Sequence, residues 1–221
     1  MKYKLLAIDL DGTLLDDNKE IGQETLEAIQ RASDLGIKIA LITGRMPAAT
    51  ESIKAKLKVP CILACNAGTY ILKETQCISS EYLICETMKK IYDIVMKYTV
   101  PLWIFRHNEW MVTGMDDVVQ NEIELVRYVP EIVEIHELSE KWELEKTGPN
   151  KVLVGAKPMV ISQIYRELKD VRLCDADMAL SAENYLEIFP KGMNKGRALQ
   201  LICEKEAEEA ATLEAFVREN I

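Results

Sequence analysis

Three short apolar runs recur at one rhythm near the start of this chain, and each stops on a polar residue. LLAI at 5–8 runs into Asp9, IKIALIT at 37–43 closes on Thr43, and CILAC at 61–65 is followed by Asn66. Between them, "QETLEAIQRASDLG" sets Leu26, Ile29, Ala32 and Leu35 along one helical face, with Gly36 placed to end it. Pro47 then fits the first turn of a helix carrying Ile53 and Leu57. Strand, helix, strand, helix, strand in this order predicts a parallel sheet with helical crossovers. Ligands collect at the carboxyl ends of strands in such sheets, and Asp9, Thr43 and Asn66 each fall there.

The middle of the chain changes character. "TYILKETQCISS" reads as a hairpin around 73–76, and Met88, Ile91, Ile94 and Val95 mark one side of a helix. "PLWIFRH" and "EWMVTG" pair as strands across Asn108, and a helix spans 116–128. "EIVEIHE" alternates like a half-exposed strand. "KVLVGAK", a helix over 159–168, and short strands at 171–174 and 185–189 complete the region. This mixture predicts an α+β unit inserted into the first domain. The expected boundaries are 1–80 and 184–221 for the parallel-sheet domain and 81–183 for the insert, a common domain size.

The stretch "AIDLDGTLLD" places Asp9 and Asp11 two residues apart where the first strand ends. Alternate residues of a strand project to the same side, so both carboxylates approach one ligand. Their repulsion must be relieved by a cation or by a shared proton. Mg²⁺ does the first, since it takes oxygen ligands and bridges to substrate phosphate. Gly12 lets the backbone turn and present N–H groups to an anion. An Asp-x-Asp pair alone is more often a turn or helix-cap pattern; its position directly after the first strand gives it meaning.

Bulk properties narrow the class of ligand. The 221 residues carry a formal charge of −9, which argues against a nucleic-acid or anionic-membrane surface. The cations that meet an anionic ligand must then be few and local. "MKYKLLAID" holds too short an apolar run for a signal peptide or a membrane span, so a cytoplasmic protein is expected. Six cysteines lie scattered without metal-like spacing, and they read as free thiols. His107 and His136 stand in no motif and read as surface or packing residues.

"DLDGTLLD", "ITGR", "NAGTYI" and "SAENYLEIFPKGMNKGRAL" together resemble the motifs of the haloacid dehalogenase superfamily of phosphatases, and within it the Cof-like subfamily IIB of sugar phosphatases. The resemblance runs from Met1 to about Cys203. It implies an α/β fold: a Rossmann-like parallel-sheet core with an inserted α+β cap domain. It also implies roles at the matching positions. Asp9 would attack phosphorus to form an aspartyl-phosphate that water then hydrolyses, and Asp11 would act as general acid and base. Thr43 and the Gly44 N–H would bind phosphoryl oxygens, and Lys195 would balance charge between the phosphate and Asp9. Mg²⁺ would be held by Asp9 and the Asp11 backbone carbonyl. Arg45 and Asn66 are expected to assist at the rim, with a helix-start salt bridge the alternative for Arg45. Trp103, Phe105, Arg106 and Trp110 form either a recognition face on the cap or packing between its sheet and helices.

One family element is expected to be missing. Relatives follow the lysine helix with a fourth strand and a Gly-Asp-x-x-Asn-Asp motif whose aspartate completes the metal site. Here the segment from Ala198 onward contains no Gly, Pro or Asp and reads as helix, with Leu199, Ile202, Leu213, Phe216 and Val217 as its apolar contacts. Weak Mg²⁺ binding and impaired turnover follow, unless Glu204, Glu206 or Glu208 substitutes; a solvated acidic helix face is the plainer reading of those three. The first strand also becomes a sheet edge, and exposing several large apolar side chains at about 1.5–3 kcal/mol each is comparable to the stability of a domain. The terminal helix is therefore expected to fold over that edge, or a partner chain to pair with it; otherwise residues outside this sequence complete the sheet.

The leading expectation is a Mg²⁺-dependent phosphatase acting on a small phosphorylated metabolite such as a sugar phosphate, as a monomer or homodimer. The alternatives are a catalytically impaired phosphate-binding protein of the same fold, a phosphomutase with a similar cap, and a nucleotide-sugar transferase reading of the Asp-x-Asp pair.

Overall fold

The computed structural model describes residues 3–220, with side chains described through Glu209. The first sheet has the order β1-β2-β3-β4-β5, formed by Leu5–Asp9, Lys38–Ile42, Cys61–Cys65, Tyr70–Lys73 and Gln76–Ser80. β1, β2 and β3 are parallel, and the hairpin β4–β5 adds antiparallel to β3. α1 (Gln23–Asp34) and α2 (Glu51–Leu57) are the crossovers on one face. There Leu10, Leu14, Ile29, Ile53 and Leu57 pack against Ile39, Leu41 and Leu63. α7 (Lys195–Asn220) covers the other face, where Ala198 and Ile202 meet Ala40, Ile42, Ile62 and Ala64.

β2 and β3 are buried on both faces, as their unbroken apolar sequences require. β1 pairs only with β2 among the described residues, so it is the expected edge. The terminal helix does not close that edge within the described side chains. α7 packs over β2 and β3, with Leu5 at its margin, and leaves Leu6 39% exposed. Small residues explain this seating. Gly68 lies so close that a Cβ there would stand 2.7 Å from the Cβ of Ala198, and its φ of +93° excludes most other residues. Leu213, Phe216 and Val217 lie outside the described side chains.

The second sheet has the order β10-β11-β9-β6-β7-β8. Its strands are Leu102–Arg106 (β6), Glu109–Val112 (β7), Glu131–Ile132 (β8), Lys151–Gly155 (β9), Ala176–Ala182 (β10) and Tyr185–Pro190 (β11). One face carries α3 (Cys85–Val95), α5 (Ile135–Glu145) and α6 (Pro158–Val171) around a core of Met88, Ile91, Trp142, Val152 and Ile164. The other face is shared by α4 (Asp117–Val126) and the first domain, whose Met46 joins Trp103, Phe105, Trp110 and Leu153.

Several expectations change here. Glu131–Ile132 is the whole of the strand expected over "EIVEIHE"; the carboxylate of Glu134 caps a helix beginning at Ile135 by accepting from the His136 and Glu137 N–H groups. No strand forms at 171–174, where α6 ends, and β10 instead spans Ala176–Ala182. β11 pairs between β10 and β9, so the chain returns to the first domain after Pro190 and not at 184. Leu35 is the residue after α1 and points into solvent, beyond the reach of the helical face. The cysteines are free thiols. No helix among the described residues is long and apolar enough to cross a membrane.

Candidate active site

Asp9 ends β1, and the chain turns at once. The N–H groups of Leu14 and Leu15 donate to the carbonyls of Asp9 and Leu10, while Leu10, Leu14 and Leu15 bury themselves beneath the turn. Gly12, at φ +75°, supplies the left-handed conformation this reversal needs. The apolar anchors thus point down and the two carboxylates stay up: Asp9 half-buried and Asp11 exposed.

Three cations converge on these acids. Lys195 opens α7 and places Nζ 2.8 Å from Asp9 Oδ1, which also accepts from the Leu10 N–H at 3.0 Å. Both contacts fall on Oδ1, so Oδ2 accepts no hydrogen bond from the described residues. Arg45 grips Asp11 with both arms, Nε to Oδ2 at 2.9 Å and Nη2 to Oδ1 at 2.7 Å, and Lys19 donates to the same Oδ1 at 3.1 Å. The Arg45 hydrogen bonds hold the Asp11 carboxyl below its ordinary range against the opposing effect of partial burial, and Lys19 adds to the lowering. Three cationic side chains therefore face two carboxylates, a local excess of positive charge in an acidic chain.

Thr43 follows β2 and is buried; its Oγ1 accepts from the Arg45 N–H at 3.1 Å. Gly44 lies between them, its carbonyl receiving Lys151 Nζ from the second domain. Asn66 departs from the expected rim position. It is fully buried at a φ of +51°, its N–H donates to the Arg45 carbonyl, and its Nδ2 donates to the His107 carbonyl at 3.1 Å. Its Oδ1 is buried without a partner. Asn66 therefore braces the β6–β7 turn against the first domain. Asn108 Oδ1, on the same turn, accepts from the Ala48 N–H at 2.6 Å.

Trp103, Phe105 and Trp110 are buried and packed together, with ring centroids 5.2 Å apart for Trp103–Trp110 and 6.1 Å for Phe105–Trp110. They form an apolar wall between the domains, in line with the packing alternative. Arg106 points to the other face of its sheet, over the Trp142 ring and against Glu145. Glu206 is neither a metal ligand nor solvated. It is buried and paired with Lys38 and Lys73 at the far end of the sheet, eleven helical residues from Lys195. Helical rise separates those two positions by roughly 16 Å.

Lys151, Glu187 and Asn150 were not singled out in the sequence, and His107, read there as a surface or packing residue, packs against Tyr70. Lys151 pairs with Glu187 at 3.2 Å, and Asn150 accepts from the His107 N–H while donating to Ser80 Oγ and the Glu81 carbonyl. Only the polar interruption of the apolar run "NKVLVG" hints at any of them.

No cluster of three or more His, Cys, Asp or Glu side chains suited to a metal occurs among the described residues. The Asp9 carboxylate and the Asp11 backbone carbonyl are oxygen donors two residues apart where β1 ends. Such a set fits Mg²⁺, which is commonly held by one or two carboxylates and completed by waters and substrate phosphate.

The haloacid dehalogenase-like hydrolase profile matches residues 6–216. Among characterised proteins, an HMP-PP phosphatase of Yersinia pseudotuberculosis is 26% identical over 206 residues, spanning 90% of this chain and 71% of the relative. A haloacid dehalogenase-like hydrolase from Bacteroides thetaiotaomicron superposes with a TM-score of 0.79 at 21% identity, covering 93% of this chain and 78% of that one. A HAD subclass IIB sugar phosphatase superposes with a TM-score of 0.74 at 18% identity, covering 92% and 76%. These two likenesses speak for the fold.

Proposed function

This chain belongs to the haloacid dehalogenase-like hydrolases, and from that premise we propose that it is a Mg²⁺-dependent phosphatase acting on a small phosphorylated metabolite, with Asp9 as nucleophile. The carrying observation is the asymmetry of the Asp9 carboxylate. Oδ1 is held by Lys195 and the Leu10 N–H, which leaves Oδ2 as the oxygen to attack phosphorus.

The attack breaks the bond from phosphorus to the leaving oxygen and forms an aspartyl-phosphate on Asp9. The leaving oxygen takes a proton from Asp11, and the resulting Asp11 carboxylate then takes a proton from the water that hydrolyses the intermediate. Asp11 is ionised while Arg45 and Lys19 hold it, so it acts as an acid only after those cations turn to the substrate phosphate and the carboxylate takes up a proton from solvent water. Thr43, Gly44 and Lys195 bind the phosphoryl oxygens, where charge develops in the transition state. Mg²⁺, held by Asp9 and the Asp11 backbone carbonyl, would supply further neutralisation of the phosphoryl charge. The named HMP-PP phosphatase relative and the sugar-phosphatase fold neighbour support a metabolite-sized substrate.

The test is phosphate release from a panel of phosphomonoesters, with hexose phosphates and HMP-PP included. We expect turnover that needs Mg²⁺ and is abolished by chelation. Asp9→Asn should lower it by at least about a hundredfold, since the nucleophile is lost. Turnover unchanged in Asp9→Asn would refute the assignment. The grip of Arg45 and Lys19 on Asp11 favours a second reading, phosphate binding without hydrolysis. It predicts thermal stabilisation by phosphate esters and no release from any of them.

A further inference from the structure

Lys151 is a charged residue at only 4% exposure, on a strand of the cap, with its ammonium directed into the core. Burying such a group is costly unless it is paired and hydrogen-bonded. Nζ donates to the Gly44 carbonyl at 2.8 Å, lies 3.2 Å from Glu187 Oε2 and sits 4.9 Å from the centre of the Phe105 ring. Glu187 is itself well shielded, and its other oxygen stands 3.8 Å from the place a Cβ on Gly44 would occupy.

The Gly44 carbonyl and the Arg45 N–H belong to one planar peptide unit. The N–H, which points the opposite way within that plane, donates to Thr43 Oγ1 at 3.1 Å. Holding the carbonyl therefore holds the N–H, and the N–H occupies an acceptor direction of the Thr43 hydroxyl. The hydroxyl proton is then available to an acceptor other than this peptide unit.

We infer that Lys151 is a positioning residue for the phosphate loop: from the cap it fixes the Gly44–Arg45 peptide plane, which aims the Thr43 hydroxyl as a donor to phosphoryl oxygens. The inference rests on the phosphatase reading above. It also makes the loop's competence depend on the cap being seated, because the lysine that aligns the loop belongs to the other domain.

The experiment compares Lys151→Met in the parent and in a Thr43→Val background. In the parent, Lys151→Met should lower kcat/KM at least tenfold. With Thr43→Val, where there is no hydroxyl left to aim, the same change should cost less than threefold. A loss of equal size in both backgrounds overturns the inference, as does a Lys151→Met enzyme within twofold of the parent. Because Lys151→Met strands the Glu187 carboxylate, Lys151→Met/Glu187→Gln is the companion variant. It should keep the parental thermal midpoint to within a few degrees and keep the tenfold loss. Return of parental activity in that double variant would overturn the inference. Orthophosphate affinity, read by calorimetry, is independent of turnover. It should weaken at least fivefold in Lys151→Met, and unchanged affinity counts against Lys151 even if Asp9→Asn shows the phosphatase reading itself to be wrong.

Discussion

Arg45 presents a planar fork matched to paired oxygens. Its guanidinium meets both oxygens of Asp11, and the same fork geometry suits two oxygens of a phosphate. A lysine at this position offers a point charge and cannot make the paired contact. Arg45→Lys should therefore retain the fold and lower kcat/KM by about tenfold, the cost of roughly one charge-assisted hydrogen bond. Steady-state kinetics on the best substrate of the panel would measure it, and a variant equal to the parent would mean that Arg45 only braces Asp11. Lys19 makes a single, more exposed contact to the same carboxylate, so Lys19→Ala should cost less than Arg45→Lys in the same assay.

At the scale of elements, the seating of α7 decides whether Lys195 reaches Asp9. The helix is capped by the Asn194 side chain, which accepts from the Arg197 N–H, and it is pressed against Gly68 through Ala198. Gly68→Ala adds a methyl where no room exists, on a residue at positive φ. The expected cost is about 1–3 kcal/mol, seen as a thermal midpoint lower by several degrees. Activity should fall with it, since Lys195 moves with the first turn of α7; an unshifted midpoint would contradict this packing. The elements that were legible in the sequence share a strong local signal. β1 to β3 are apolar runs, and α1 has its stripe and terminal glycine; Asp9 and Thr43 were legible as strand ends, whereas Lys195 stood out only through its motif context "KGMNKG", because its contact with Asp9 spans 186 positions. The misread elements had competing signals. Residues 131–137 alternate as a strand would, yet Glu134 caps a helix whose buried face is Ile135, Ser139 and Trp142. Lys151 was illegible for a different reason: Gly44 lies 107 positions away in the other domain and Glu187 lies 36 positions away on a neighbouring strand, and no local pattern encodes either contact.

For the molecule as a whole, the cap is held on the core by a hairpin tip and by the aromatic wall behind it. His107 occupies that tip. Its ring stacks on Tyr70 with centroids 4.6 Å apart, its Nε2 lies 2.6 Å from the Tyr82 hydroxyl, and its backbone carbonyl receives Asn66. Burial pushes the His107 pKa below its ordinary value of 6.5, neighbouring Arg106 adds to the lowering, and Glu109 opposes it. The folded chain therefore resists a proton that the unfolded chain accepts. Stability from this site is present above pH 6.5 and is lost as acidification proceeds from there through the lowered folded-state value. The parent should lose thermal stability between pH 7 and pH 5 more steeply than His107→Gln, which keeps a polar side chain but cannot titrate. Because His107 sits where cap meets core, protease cleavage at the Glu81 and Lys191 connections should also accelerate in the parent over that range. Parallel stability profiles for the two proteins would show that the buried imidazole does not couple protonation to the docking of the cap.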